Sequence, residues 1–327
     1  MKAIVQESYG SPRDVLQHTD VAEPTVGDDD VLVRVRATSV NPADWHMLRG
    51  MPYIARLSFG LRGPKAPVIG CDVAGEVEAV GGNVTAVGPG DEVFACPFMR
   101  GFGTFAERVA VASDLVAVKP ANLSFEQAAA VPMAGLTALQ AVRDHGRVEP
   151  GHRVLVIGAS GGVGTFAVQI AKALGAEVTG VCSKRNVDLV RSIGADHVVD
   201  YTRDDYVQPG QRYDLIVQVA GTRSPSDCRR ALTPKGTLLG ISGESTGRWI
   251  GPIVRVIKAS AMSPFVSQSL KSFTVKPDRA GLEFLRERIE AGEISPVIDR
   301  TYPMGEVPEA IEYLEEGHAR GKVVIAV

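Results

Sequence analysis

The stretch His152–Leu174, HRVLVIGASGGVGTFAVQIAKAL, decides how this chain is read. It opens with a short apolar run, Val154 to Ile157, of the kind that forms a buried parallel strand. It turns through GASGGVG, Gly158 to Gly164, and continues as a helix with Phe166, Val168, Ile170 and Leu174 among small residues. Glycines allow a tight bend and close approach of the backbone to a pyrophosphate. The helix that follows offers unpaired N–H groups and a partial positive charge. A second strand over Glu177–Ser183 gives the glycine turn the flanks that a dinucleotide-binding unit needs.

Downstream of this unit the pattern alternates. Strands are expected at His197–Tyr201, Tyr213–Ala220 and Thr237–Ser242, with helices to about Ile193 and near Ser226–Leu232. That is a parallel sheet covered by helices. Right-handed crossovers make it doubly wound, with ligand at the carboxyl ends of its strands. Upstream, residues 1 to about 115 read as short strands broken by glycine and proline. Val31–Val35 alternates with Arg34 and Arg36 as a half-exposed strand should. Pro42 suits the first position of a short helix. Pro67–Val84 and Gly88–Ala95 suggest strongly bent strands. The loop Met51–Pro67, with Tyr53, Arg56, Phe59, Arg62 and Lys65, is either functional or a mobile surface loop. Ser124 caps a helix that breaks at Pro132, and a second helix runs to about His145.

After the alternating region, Trp249–Leu270 is apolar with helical spacing, and Ser272–Lys276 reads as one more strand, at an edge. Arg279–Ala291 is an amphipathic helix. A turn at Tyr302-Pro303, a helix over Pro308–His318 and a last strand, GKVVIAV, close the chain.

The bulk numbers exclude several classes. With 327 residues there is room for about two domains. A net charge of −3 carries no footprint for nucleic acid. No apolar run is long enough to span a membrane, and MKAIVQESYG lacks the apolar core of a signal peptide, so the cytoplasm is the expected compartment. The four cysteines, Cys71, Cys96, Cys182 and Cys228, form no CxxC pair and lack the spacing of a structural zinc site.

Several motifs together resemble the medium-chain dehydrogenase/reductase superfamily, in its zinc-free quinone-oxidoreductase branch. They are SVNPADW (39–45), GCDVAGEVEAVG (70–81), GDEVFA (90–95), AAAVPMAGLTA (128–138), GASGGVGTFAVQIAK (158–172), GADHVVDY (194–201) and GKVVI (321–325). CSKRNVDLV (182–190) and MSPFVSQ (262–268) are most similar to the group containing the mitochondrial reticulon-interacting reductase. The resemblance implies an α/β chain: a GroES-like β-rich catalytic domain, residues 1–120 and 270–327, plus a doubly wound parallel Rossmann domain, residues 121–269. The cofactor is expected in the cleft between them, and a homodimer is expected by analogy, through the edge near Ser272–Lys276.

The same resemblance bears on metal. Zinc enzymes of this superfamily carry Cys where this chain has Asn41, His where it has Cys71, and a third Cys near Pro132–Met133; their acidic second residue corresponds to Asp72. Asn41 and Met133 are poor zinc ligands, so no metal is expected. Without a Lewis acid, quinones and α,β-unsaturated carbonyls become better hydride acceptors than a simple alcohol is a donor.

NAD-specific folds place an acid at the end of the second strand. Here that end is Cys182-Ser183-Lys184-Arg185, where a guanidinium suits a ribose phosphate. NADPH is therefore the expected cofactor, with Ser183, Lys184, Arg185 and, by resemblance, Tyr201 at the phosphate. The alternative is that Ser183 only caps the next helix and the two basic residues are solvated. By resemblance, Gly161, Gly162, Val163 and Gly164 serve the pyrophosphate, Thr137 the nicotinamide side, Ser242 the nicotinamide and Lys322 the adenosine or pyrophosphate. Ser160 and Ala220 complete the cofactor set. Gln218 stands where relatives often carry Asp.

For catalysis, the Asn41 amide either hydrogen-bonds the substrate oxygen or forms the turn before Pro42. His46 matches a proton-relay histidine or is a surface residue, and Tyr53 is a possible donor. Asp44 is expected to pair or cap rather than donate protons. The rivals to a quinone or enone reductase are a low-turnover NADPH-binding scaffold and a pathway-specific enoyl or alcohol reductase.

Overall fold

The alternation at residues 31–36 grows into the longest strand of the protein's β-rich half. In the computed structural model, which describes residues 1–61, 63–208, 210–221, 223–241 and 267–327, two units separate, Met1–Leu136 with Lys276–Val327 and Thr137–Val275.

In the first unit, strands β1 (Lys2–Gln6) and β2 (Leu16–Asp20) pair antiparallel. Strand β3 (Asp30–Val40) buries Val31, Val33 and Val35 and exposes Arg34 and Arg36. From Ala37 to Val40 every residue is buried, so Thr38 and Ser39 must find partners inside the protein. Pro42 opens helix α1 (Pro42–Arg49), which Gly50 closes in the left-handed conformation at φ 57°. Strands β4 (Val73–Val80), β5 (Glu92–Ala95), β6 (Arg108–Ala112) and β7 (Val116–Val118) follow. The expected bending of β4 is present as two register shifts against β3. At Gly75 a Cβ would lie 2.0 Å from the Arg34 carbonyl oxygen, so only glycine permits this approach. Helix α2 (Phe125–Ala129) is capped by Ser124, and α3 (Pro132–Leu139) continues as a π-helical Gln140–His145.

The second unit carries β8 (Arg153–Ile157), α4 (Gly162–Ala173), β9 (Glu177–Cys182), α5 (Val187–Ser192), β10 (His197–Asp200), β11 (Tyr213–Gln218), α6 (Pro225–Arg229), β12 (Leu232–Gly240) and β13 (Ser269–Ser272). Among the described residues its six strands are all parallel, in the order β10-β9-β8-β11-β12-β13. The chain starts in the middle of the sheet and winds outward both ways, which is the doubly wound Rossmann arrangement. Leu155, Ile157, Val181, Ile216 and Leu238 form the core of this sheet. The last strand falls at Ser269–Ser272, slightly ahead of the expected 272–276, and it is an edge strand. The expected apolar helix at 249–270 lies, up to residue 266, outside the described residues.

The chain then returns to the first unit through α7 (Arg279–Glu290), β14 (Ile298–Pro303), α8 (Val307–Glu315) and β15 (Lys322–Ala326). Tyr302-Pro303, expected as a turn, is the end of β14. Proline is tolerated there because β14 is the edge of a sheet ordered β14-β15-β3-β4-β5-β7. Strand β15 runs antiparallel to β3, with Val323 opposite Val40.

Candidate functional site

That register brings Lys322 to the start of α1. Its Nζ, in a side chain only 4% exposed, donates to Asn41 Oδ1 at 2.6 Å, Asp72 Oδ2 at 3.2 Å and the Val40 carbonyl at 3.3 Å. Asp72 is fully buried just ahead of β4. Its Oδ2 also accepts from Ser39 Oγ at 2.6 Å and Asn41 Nδ2 at 2.8 Å, and its Oδ1 accepts the Met133 N–H at 2.7 Å. A buried carboxylate is tolerable only with this many donors. Asp44, also fully buried, accepts the Asn41 N–H at 2.7 Å and the Cys71 thiol at 3.3 Å. Burial, reinforced by the charge of Asp72, pushes the Asp44 carboxyl up to about 7. Burial likewise drives the Cys71 thiol well above its ordinary range.

The same network holds the candidate residue Asn41. Asn41 Nδ2 gives its protons to Asp72 and, at 3.3 Å, to the Ser39 carbonyl, while Oδ1 is taken by Lys322. Both ends of the Asn41 amide therefore have partners within the protein, and its backbone is extended ahead of Pro42 at the N-cap of α1. Asp44 accepts the Asn41 N–H in a capping box at the start of α1. Lys322, expected beside the adenosine or pyrophosphate, has three acceptors inside this unit that account for all of its donors. His46 is half-buried and stacked on Trp45 with ring centroids 3.7 Å apart; its Nδ1–H donates to the Met51 carbonyl at 3.1 Å. Burial lowers its pKa. Tyr53 lies under the Arg56 guanidinium, which also stacks on Tyr9, at 4.7 and 4.4 Å. Arg56 Nε donates to the Gly50 carbonyl, which ties the start of the loop to the end of α1.

In the second unit the glycine turn joins β8 to α4. Gly158 has φ 87°, and a Cβ there would approach Ala220 Cβ to 2.8 Å, so Ala220 packs directly on the turn. At Gly164 a Cβ would lie 2.0 Å from the Gly158 carbonyl oxygen, which explains that glycine by packing alone. Gly161 is different. Its φ is −86°, and a Cβ would meet nothing nearer than the Gly158 oxygen at 3.6 Å. Neither backbone conformation nor packing demands glycine at this N-cap, so the open backbone suits a ligand. The amides of Gly162, Val163 and Gly164 begin a twelve-residue helix and lack intrahelical acceptors. The turn therefore fits a pyrophosphate.

Beside it, β9 ends at Cys182, and the Tyr201 N–H donates to the Cys182 carbonyl at 3.1 Å. The strand ends thus bring Ser183 and Tyr201 together. Ser183 occupies an N-cap position without a side-chain capping bond, and Lys184, Arg185 and Tyr201 are exposed. One carboxylate stands nearby. Asp200 accepts from the hydroxyl and N–H of Thr202 and from the Lys184 N–H, and these bonds, the Thr202 hydroxyl foremost, hold its pKa below the ordinary range. Gln218 is buried and donates from Nε2 to the Gly221 and Arg223 carbonyls, both at 3.3 Å, fixing the segment that follows β11.

Known proteins resemble this chain along nearly its whole length. Residues 27–121 match the alcohol dehydrogenase GroES-like domain, and residues 193–325 match a family described as zinc-binding dehydrogenase. The chloroplast envelope quinone oxidoreductase homolog of Arabidopsis thaliana is 34% identical, the match covering 99% of this chain and 98% of that protein. The chain belongs to the medium-chain dehydrogenase/reductase superfamily, in its quinone-oxidoreductase branch. The mouse mitochondrial NAD(P)H oxidoreductase RTN4IP1 is also 34% identical, over 100% of this chain and 89% of its own. The quinone oxidoreductase of Coxiella burnetii superposes with a TM-score of 0.88 at 29% identity, covering 100% of this chain and 99% of the other.

Within this superfamily frame, Thr137 is buried on α3, and Ser242 lies outside the described residues. Among the described residues, no group of three or more His, Cys, Asp or Glu side chains is placed to hold a metal ion. Nor is any described helix long and apolar enough to cross a membrane. Sequence reasoning missed the Lys322–Asp72 pair, which only the β15–β3 register reveals. It also missed Asn186, whose Nδ2 donates to Ser160 Oγ at 2.9 Å.

Proposed function

We propose that this oxidoreductase prefers NADPH and passes hydride to quinones or α,β-unsaturated carbonyls without a zinc ion. The bound reduced nicotinamide supplies the hydride. The observation that carries the cofactor choice is the end of β9, where Ser183, Lys184 and Arg185 stand beside the glycine turn. A ribose phosphate bears close to two negative charges and accepts hydrogen bonds only, so a hydroxyl and a guanidinium suit it. Asp200 does not occupy the place of a ribose-binding acid at the second strand: it ends the third strand and already accepts from Thr202 and Lys184.

Two further observations support zinc-independent chemistry. Asn41 and Met133 are weak ligand types, and Asn41 is already engaged by an ammonium. The acceptor would then be oriented and kept from water rather than polarised by a metal. Thr137 and the amides of Gly162–Gly164 would hold the cofactor. The proposal includes a cytoplasmic homodimer, which sedimentation and cell fractionation test.

The deciding experiment follows oxidation of NADPH and NADH by one ortho-quinone and one simple enone in the presence of EDTA. Rapid loss of NADPH, slower loss of NADH and indifference to EDTA are expected. Loss of activity in EDTA restored by zinc would overturn the metal-free reading. Binding of NADPH without turnover of either acceptor would favour the scaffold.

A further inference from the structure

Asn186 lies three residues beyond Ser183, in the helical turn that leads into α5. It is 5% exposed. Its Nδ2 donates to Ser160 Oγ in the glycine turn at 2.9 Å and to Ser183 Oγ at the end of β9 at 3.4 Å. Its Oδ1 is buried and has no hydrogen-bond partner among the described residues. An unpaired buried carbonyl costs on the order of 1–3 kcal/mol. The amide is thus held by its two donor bonds alone, each made to a serine of the dinucleotide site.

The chemistry of a hydroxyl gives those bonds a direction. A serine oxygen that accepts an amide N–H keeps its own proton for another acceptor. Were the amide reversed, Oδ1 would draw both hydroxyl protons inward, and the serines would turn lone pairs toward an anion. We propose that Asn186 is a positioning residue that sets Ser160 and Ser183 as donors toward the phosphates of the dinucleotide, and through Ser183 favours the 2′-phosphorylated form. The inference rests on the NADPH reading and names the residue that tunes it.

Dissociation constants of NADPH and NADH, measured calorimetrically on the full chain, test it without reference to turnover. The wild type should bind NADPH more tightly. Asn186→Ala should weaken NADPH about tenfold and NADH about threefold, so the ratio narrows. Asn186→Asp is isosteric but only accepts, so it should weaken NADPH about a hundredfold. Against Ser183→Ala, the Ala variant should narrow the ratio no further, because the two act as a unit. Equal weakening of both cofactors, or losses that add in the double variant, would overturn the inference and leave Asn186 a packing residue. An unchanged ratio in Asn186→Ala would overturn it while leaving the wild-type preference intact. A wild type without preference would instead remove the NADPH reading on which it rests.

Discussion

The two units treat polar groups in opposite ways. In Thr137–Val275 the first amides of α4 open onto a glycine turn, and Asn186 links Ser160 of that turn to Ser183 at the end of β9. In the other unit, Lys322, Asp72, Asn41 and Ser39 satisfy one another in the interior. A group that is to meet a ligand must keep hydrogen-bonding capacity in reserve, whereas a buried ion is tolerable only when it keeps none. The contrast lies in how the groups are satisfied rather than in residue type, since both units use the same polar side chains.

Removing the ammonium should have the largest effect. Lys322→Met leaves Asp72 buried without its cation and should cost about 3–5 kcal/mol in urea unfolding, with Asp72→Asn in the same chain recovering much of it. A single variant as stable as the wild type would mean that the pair is not what holds this region.

A slightly smaller effect concerns Asp44. Its carboxyl is raised to about 7 by burial, so the folded chain keeps a proton that the unfolded chain releases near pH 4. Because the native state binds more protons across that window, stability should fall as pH rises from about 4 to about 7, by up to about 4 kcal/mol. Asp44→Asn, which mimics the protonated form, should flatten that slope. A slope unchanged in the variant would assign the proton uptake elsewhere.

In the second unit, Arg185→Asp should act on the cofactor. NADPH should bind about a hundredfold more weakly and NADH only a few-fold, as read by cofactor fluorescence. Equal loss for both cofactors would detach Arg185 from the ribose phosphate.

What the sequence made legible follows from how local each feature is. The glycine turn, its strand and its helix lie within His152–Leu174, so their spacing could be read directly. The burial alternation of β3 and the Ser124 cap were local in the same sense. Lys322 could not be placed this way. It meets Asn41 across 281 residues of chain, and a one-residue slip of β15 would turn it to the other face of the sheet. The Asn41 amide looked available because its acceptors, Asp72 and Ser39, are set by that same sheet. Asn186 carried no signal either: in CSKRNVDLV it reads as one more polar residue at the start of a helix. Tyr302-Pro303 was misread because proline marks both turns and edge-strand ends, and only the sheet order distinguishes them.

The register of β15 against β3 also bears on biosynthesis. The Rossmann unit is one continuous segment, complete when the ribosome has passed β13. The first unit must wait for the chain to reach Lys322 and β15. Until then the Ala37–Val40 edge of β3 has open backbone groups and Asp72 lacks its cation, so a nascent chain stalled before residue 322 carries a finished nucleotide fold beside an unclosed sheet. Such a chain offers chaperones and proteases a mark of incompleteness that disappears only when the final strand is added.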